Sequence, residues 1–219
     1  PREPEVPRTF EVLYEDQDLI AIAKPAGLPV HATARFHKNT LTAVLREHYV
    51  GQQIPQLAHR LDRETSGLML LGATPKAGAA LKASFRRREV HKRYLALVHG
   101  TPAPEGDIDL PLGPDLDSGI RVKMGVTPNG QPAQTRFVTL QTRGEVSLVE
   151  AWPRTGRQHQ IRAHLSALGH PVVGDKLYGP APELFLEYLE TGWTPALAAR
   201  LPLPRHPLPA HTATPPHPR

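Results

Sequence analysis

The stretch that most constrains this chain is Gly67-Leu68-Met69-Leu70-Leu71-Gly72, followed after Ala73 by Thr74-Pro75. Four consecutive large apolar residues read as a short strand buried on both faces. Thr74 then offers a helix cap, and Pro75 a first-turn residue that needs no N–H partner. A helix over Lys76–Arg88 follows, with Ala80, Leu81, Ser84 and Phe85 spaced to face inward. Just ahead of the strand lies the polar turn His59-Arg60-Leu61-Asp62-Arg63-Glu64-Thr65-Ser66. An acid at the mouth of a buried strand, with arginines two residues before and one after, either does chemistry or holds an ion pair.

The rest of the pattern is mixed. Phe10–Tyr14 and Leu19–Ala23 read as strands split by the acidic turn at 15–18. Leu41–Tyr49 has helical spacing, with Leu41, Val44, Leu45 and His48 on one side. Tyr94–His99, Thr135–Leu140 and Val146–Ala151 alternate as strands. Gln158–Leu168 is helical and stops at Gly169 before Pro171; Pro182–Glu190 is a further short helix. No regular βαβ rhythm is present, so the expectation is an α+β fold: a mixed, mainly antiparallel central sheet flanked by helices. Residues 1–8 read as a flexible N-terminal segment, 9–201 as the folded domain, and 202–219 as a Pro-rich tail with little regular structure.

Composition narrows the function. The chain of 219 residues has no cysteine, which excludes disulfides and thiolate metal sites. No segment has the length of a membrane span and the first residues do not form a signal peptide, so the expectation is a cytoplasmic protein that binds no membrane. A net charge of +5, with 12 histidines counted as neutral, fits a polyanionic partner. Aromatic residues make up 5% of the chain, too few for a surface paved with stacking rings.

Three constellations carry chemistry. The first is Asp62, which a nearby guanidinium would hold ionised for nucleophilic attack; taken alone, an ion pair between strands is the commoner reading. The second is Arg154-Thr155-Gly156-Arg157-Gln158-His159-Gln160-Ile161-Arg162-Ala163-His164, a glycine turn entering a helix whose first turns suit phosphate or carboxylate; its plain alternative is a solvated basic face. The third is Arg86-Arg87-Arg88 with His91-Lys92-Arg93, a phosphate-tracking patch or a charged helix end. Tyr94 opens a strand directly after it and either enters a cleft or simply packs. His159 and His164 are five apart, about 140° round a helix, which makes a poor metal pair. No zincin, P-loop or nucleophile-elbow motif is present.

These residues resemble the RluA-type pseudouridine synthases from near the start to about Tyr178. His59–Leu71 matches H-R-L-D-x-x-T-S-G-L-L-L; Lys24-Pro25-Ala26-Gly27 matches K-P-x-G. Lys92–Gly100 matches K-x-Y-x-A-x-V-x-G, and Lys123-Met124 with Gly130–Thr135 resembles the family's central segment. Thr155–His164 and Leu168–Gly179 match T-G-R-x-H-Q-I-R-x-H and L-G-H-P-x-x-G-D-x-x-Y-G. The resemblance implies the pseudouridine synthase fold with a catalytic cleft, and an isomerase that flips specific uridines out of structured rRNA or tRNA. It implies Asp62 as nucleophile, Arg162 as its ion-pair partner and Tyr94 as the ring against the uracil. Arg60 would fill the gap left by the flipped base, and Arg86, Arg87, Arg88, Lys92, Arg93, Arg157 and His159 would contact RNA. No metal, no cofactor and a monomeric enzyme are expected. Two departures stand out. The eight or so residues ahead of Phe10 are too few for the small RNA-binding domain of many members, so the expectation is that selectivity comes from the catalytic domain, including the loop at 31–36. The family's R-x-x-L-H-A appears as Arg205-His206-Pro207-Leu208-Pro209-Ala210, and Pro209 argues against a central strand after it. A catalytically impaired RNA-binding or RNA-folding module is therefore the alternative.

Overall fold

The computed structural model describes residues 3–33, 35–179, 181 and 183–218. They form two compact units: the chain through Lys92 together with the segment from Pro209 onward, and Arg93–Leu208. The boundary runs inside the stretch 9–201 that reads as one domain. Both units combine helices with mainly antiparallel strands, the α+β class that the pattern implies.

In the first unit, β1 (Glu11–Glu15) pairs antiparallel with β2 (Leu19–Lys24) across the acidic turn. Asp16 closes that turn by accepting the Asp18 and Leu19 N–H groups at 2.8 and 2.7 Å. Helix α1 (Leu41–His48) is capped by Thr40 and buries Leu41, Val44 and Leu45. His48, expected on that face, is exposed; the apolar side is completed by Tyr49, buried at the helix end. The short β3 (Gln56–Leu57) and then β4 (Gly67–Gly72) follow, with β2 on one side of β4 and β3 on the other. Met69 to Gly72 are buried, as the apolar run demands.

Helix α2 (Pro75–Arg86) starts as the sequence implies: Thr74 Oγ1 accepts the Ala77 N–H at 3.1 Å and Pro75 occupies the first turn. Its buried face is Ala77, Gly78, Leu81 and Ser84, rotated from the expected one; Ala80 and Phe85 are only half-buried. The rotation comes from backbone approach. A Cβ on Gly72 would sit 2.1 Å from Gly78 N, so helix and strand meet glycine to glycine. Leu19, Ala21, Leu70, Leu81 and Val90 form the core beside them.

Both ends of the first unit correct the sequence reading. Residues 3–8 carry no regular structure, yet they are anchored: Glu3 accepts the Lys38 and Asn39 N–H groups, and Arg8 pairs with Asn39 and Glu47. The expected irregular tail contains a strand, Ala210–Thr214, which runs parallel to β4 with Ala210 opposite Gly67. Pro209 stays just outside it, so no ladder donor is lost. Gly67 lies at φ +113, and a Cβ there would fall 2.2 Å from Ala210 O; only glycine admits the strand.

The second unit takes over within β5 (His91–His99). β10 (Val146–Pro153) lies between β5 and β9 (Gln134–Arg143), and β6 (Glu105–Asp109) completes this antiparallel set. β7 (Leu112–Pro114) and β8 (Met124–Val126) form a separate ribbon. Helix α3 (Gln160–Ala167) packs Ile161 and Leu165 into a core with Ala96, Val98, Phe137, Val149 and Ala151. Helices α4 (Glu183–Thr191) and α5 (Pro195–Arg200) close on Leu184, Leu197 and Leu201. α4 lies one residue later than expected, and its expected first residue, Pro182, is outside the described residues. α5 was not anticipated, although Thr194-Pro195 repeats the Thr-Pro helix start of α2. The C-terminal strand of the first unit is β11 (Ala210–Thr214) in chain order.

Candidate active site

Asp62 lies in the first unit, half-buried, in a turn closed by Thr65 N–H donating to its carbonyl at 3.2 Å. What holds that turn is Lys24, at the end of β2. Lys24 is 1% exposed, and its Nζ donates to the carbonyls of Pro25 (2.8 Å), Leu28 (2.8 Å) and Arg63 (3.2 Å). Gly27 N–H also donates to Arg63 O, at 2.8 Å. The K-P-x-G turn thus grips the backbone one residue beyond Asp62 with two donors. Three acceptors around Nζ use all three ammonium protons. Burial pulls the Lys24 pKa down to about 7, and the Asp62 carboxylate pushes it back up.

His59 fixes the other end. Its ring stacks on Phe85 with centroids 4.5 Å apart, and Nε2 accepts the Leu70 N–H at 3.0 Å. Burial, reinforced by the Lys92 charge, lowers its pKa to about 4, so the ring is neutral and Nε2 remains an acceptor at neutral pH. Arg63 pairs with Glu64 at 3.1 Å and lies over the Phe36 ring at 5.6 Å. Arg60 is exposed.

In the second unit, Tyr94 is half-buried near the start of β5, opposite Ala151, and packs on the core below it. Arg162 is buried on α3. Its Nε and Nη2 donate to Asp175 Oδ2 and Oδ1 at 2.6 and 2.9 Å, a bidentate pair with both side chains buried. Asp175 Oδ1 also accepts the Leu177 and Tyr178 N–H groups at 3.0 and 3.1 Å. Desolvation opposes the Asp175 charge, but Arg162, His206 and the Tyr178 amide overcome it and hold the carboxyl well below its ordinary range. The Tyr178 ring lies under the Arg162 guanidinium at 5.0 Å.

Tyr178 also orders the entry to α3. Its hydroxyl donates to Met124 O and accepts Met124 N–H, both at 3.0 Å. With its one proton committed, the hydroxyl receives a third contact, His159 Nδ1 at 3.0 Å, as an acceptor, so Nδ1 carries the proton. His159 stands at φ 56, the left-handed region, which shortens the expected helix by two residues at its start. Gln160 closes the turn: its amide donates to Gln134 O and Thr135 Oγ1, while its oxygen accepts from Thr155 Oγ1 and Arg157 N.

The basic residues divide. Arg86 and Arg88 are exposed, and Arg88 sits at φ 61 beyond the helix end. Arg87 is bound by Glu89 at 2.6 and 2.9 Å, Arg93 by Glu150 at 2.7 Å, and Arg157 Nε donates to Pro132 O at 3.1 Å. Burial lowers the Lys92 pKa to about 8. His164 is consumed in the core, between Thr135 Oγ1 and Leu110 O. Sequence reasoning assigned no role to Lys24, Asp175 or Tyr178; the spacing G-D-x-x-Y-G was the available signal for the last two. No group of three or more His, Cys, Asp or Glu side chains suited to a metal occurs among the described residues, and none of their helices is long and apolar enough to cross a membrane.

The family model for RNA pseudouridylate synthase matches residues 18–167. An uncharacterised RNA pseudouridine synthase of Chloroflexus aurantiacus is 43% identical over 162 residues, 72% of this chain and 51% of that protein. The ribosomal large subunit pseudouridine synthase D of Zymomonas mobilis is 36% identical, over 78% of this chain and 56% of that protein. The chain thus spans about half the length of these relatives. Among solved structures, human RNA pseudouridylate synthase domain containing 1 superposes with a TM-score of 0.74 at 28% identity, over 97% of this chain and 80% of that one. Domain containing 4 superposes with 0.71 at 30%, over 93% and 83%. Asp62, Tyr94 and Arg162 all fall inside the matched span, and the chain belongs to the RluA-type RNA pseudouridine synthase family.

Proposed function

We propose that this protein isomerises specific uridines in structured RNA to pseudouridine. The observation that carries the reading is Asp62 itself: a carboxylate within the family signature, on a turn clamped from both ends by Lys24, Gly27 and His59. In this reading Asp62 starts cleavage of the bond between uracil and C1′ of ribose. The base turns and rejoins through C5, and the C5 proton leaves to water. Tyr94 supplies a flat contact that permits rotation. To Arg162, its plane set by Asp175 and Tyr178, this reading assigns the family's role of keeping the nucleophile ionised. Bases inside a helix are unreachable, so the uridine is everted, at a cost of about a few kcal/mol offset by phosphate contacts. Arg60 fills the vacated stack. Arg86 and Arg88, both exposed, are stronger phosphate contacts than Arg87 and Arg93, which must first give up carboxylates.

The substrate is ribosomal or transfer RNA, with an unpaired uridine in a loop or helix end as the target. Transcripts tritiated at uridine C5 test this directly. Wild type releases label to water and Asp62→Ala releases none; Arg162→Ala lowers turnover far more than RNA affinity. RNA binding without release by wild type would instead support a binding module. The feature that favoured that alternative, the altered C-terminus, still forms β11.

A further inference from the structure

We propose that Tyr178 and His159 are positioning residues that fix the direction in which α3 presents Arg162. The bearing of this on the reaction rests on the reading of Arg162 given under the proposed function. All the groups involved belong to the second unit. Tyr178 is buried and packs in a small core with Leu112, Ile120 and Ala163, the last of them the neighbour of Arg162 on α3. The Arg162 guanidinium lies 5.0 Å from the centroid of its ring. Its hydroxyl lies 3.0 Å from Nδ1 of His159, the residue at which α3 begins. One side chain therefore touches both the cation and the start of the helix that carries it.

The hydroxyl is a fixed point. It exchanges hydrogen bonds with the Met124 N–H and carbonyl, both at 3.0 Å, which pins it to β8. His159 spends its Nδ1–H on that hydroxyl, and the two rings meet edge to face at 85° with centroids 5.7 Å apart. The side chain thus turns to Tyr178 rather than to the N–H groups of the helix. His159 stands at φ 56, a left-handed conformation that residues with a Cβ keep only where the surrounding structure holds them. Its carbonyl starts the helix by accepting Ala163 N–H at 2.9 Å, one residue beyond Arg162. Rotating the His159 backbone out of the left-handed region would break that first bond and swing the first turn, with Arg162 in it. Asp175 fixes where the guanidinium plane ends, and Tyr178 and His159 fix where its stem begins. This use of the His159 ring differs from the RNA contact that the sequence suggests.

The test uses the full chain and a uridine-loop RNA hairpin tritiated at C5. Single-turnover release, RNA affinity and the urea midpoint are measured for wild type, Tyr178→Phe, His159→Leu, their double variant and His159→Asn. Asparagine tolerates the left-handed conformation and offers an amide N–H where Nδ1 stands. Each of the first two variants should slow release about tenfold, the loss of one hydrogen bond, with affinity changed less than about twofold. The double variant should be no slower than either alone, because both remove the same bond. His159→Asn should recover most of the rate, and if Tyr178→Phe does not fold, His159→Leu against His159→Asn decides. A second readout needs no activity. In proton NMR the Arg162 Nε–H signal should shift and exchange faster with water in His159→Leu, and stay in place in His159→Asn. Additive losses in the double variant, or an Arg162 signal that His159→Leu does not move, overturn the proposal. An affinity loss in His159→Leu as large as its rate loss assigns His159 to the RNA and overturns it as well. Wild type that releases no tritium, with the Arg162 signal moving as described, refutes the isomerase reading and keeps the positioning of Arg162. Release by wild type with an unmoved Arg162 signal in His159→Leu refutes the positioning alone.

Discussion

The Asp62 turn and the start of α3 treat charge in opposite ways. Around Arg162 the charges are closed on themselves: Asp175 takes two guanidinium N–H groups, backbone amides take the remaining carboxylate capacity, and Tyr178 covers the cation. Around Asp62 the buried cation, Lys24, donates only to backbone carbonyls, while Arg60 stands exposed. The first arrangement builds a rigid donor of nearly zero net charge. The second leaves charge available for a ligand. A buried pair is rigid because breaking it strands an ion in a poor solvent, whereas an exposed cation costs little to keep waiting.

The largest test strikes the closed region. Asp175→Ala removes both carboxylate contacts that Asp175 gives the buried Arg162 guanidinium and should cost about 3–5 kcal/mol in urea unfolding. The double variant Arg162→Met/Asp175→Leu should recover much of that, because apolar groups of similar volume replace an expensive pair. A double variant no better than Asp175→Ala would show that the pair is not the unit that matters.

Lys24→Met probes the open region from beneath. It removes the donor from three carbonyls, of which only Arg63 O keeps another, and should cost about 2–3 kcal/mol. It also changes the pH dependence. The unfolded chain holds this proton up to 10.5 and the folded chain up to about 7. Unfolding therefore takes up a proton between those values, and wild-type stability should rise with pH through that window. The urea midpoint at pH 7 and pH 9 should differ in wild type, and differ less in Lys24→Met.

His59 adds a smaller effect of the same sign. Its pKa falls from 6.5 to about 4 on folding, so its contribution is intact above 6.5 and is lost as pH drops toward 4. The half-buried ring should account for about 1–2 kcal/mol of acid destabilisation. His59→Gln should flatten that limb in unfolding measured at pH 7 and pH 4.5; an unchanged limb would assign it elsewhere. The smallest effect is Arg87→Ala. Its exposed pair with Glu89 should leave stability unmoved, and RNA affinity should fall less than in Arg86→Ala. An equal loss would show that the Glu89 carboxylate does not compete with phosphate.

Much of this was legible in the chain. Thr74-Pro75 declared the start of α2, and Leu68–Leu71 declared a buried strand, because capping and burial act within a few residues. The rotated face of α2 was not legible: it depends on Gly72 meeting Gly78, a contact between two elements. The C-terminal strand was misread for a similar reason. Proline density lowers local propensity, but Gly67 opens a place beside β4 into which Ala210 fits without using a proline N–H.

The order of residues by itself determined the family and the longer strands and helices, and marked out Asp62, since the signature around it is contiguous and local rules bind contiguous residues. Tertiary structure alone decided which charges are spent and which are kept. Asp175 finds Arg162 across 13 positions, and Lys24 finds Arg63 O across 39. Pairing of that kind depends on where folding brings distant groups, and on the high cost of leaving a buried ion without a partner.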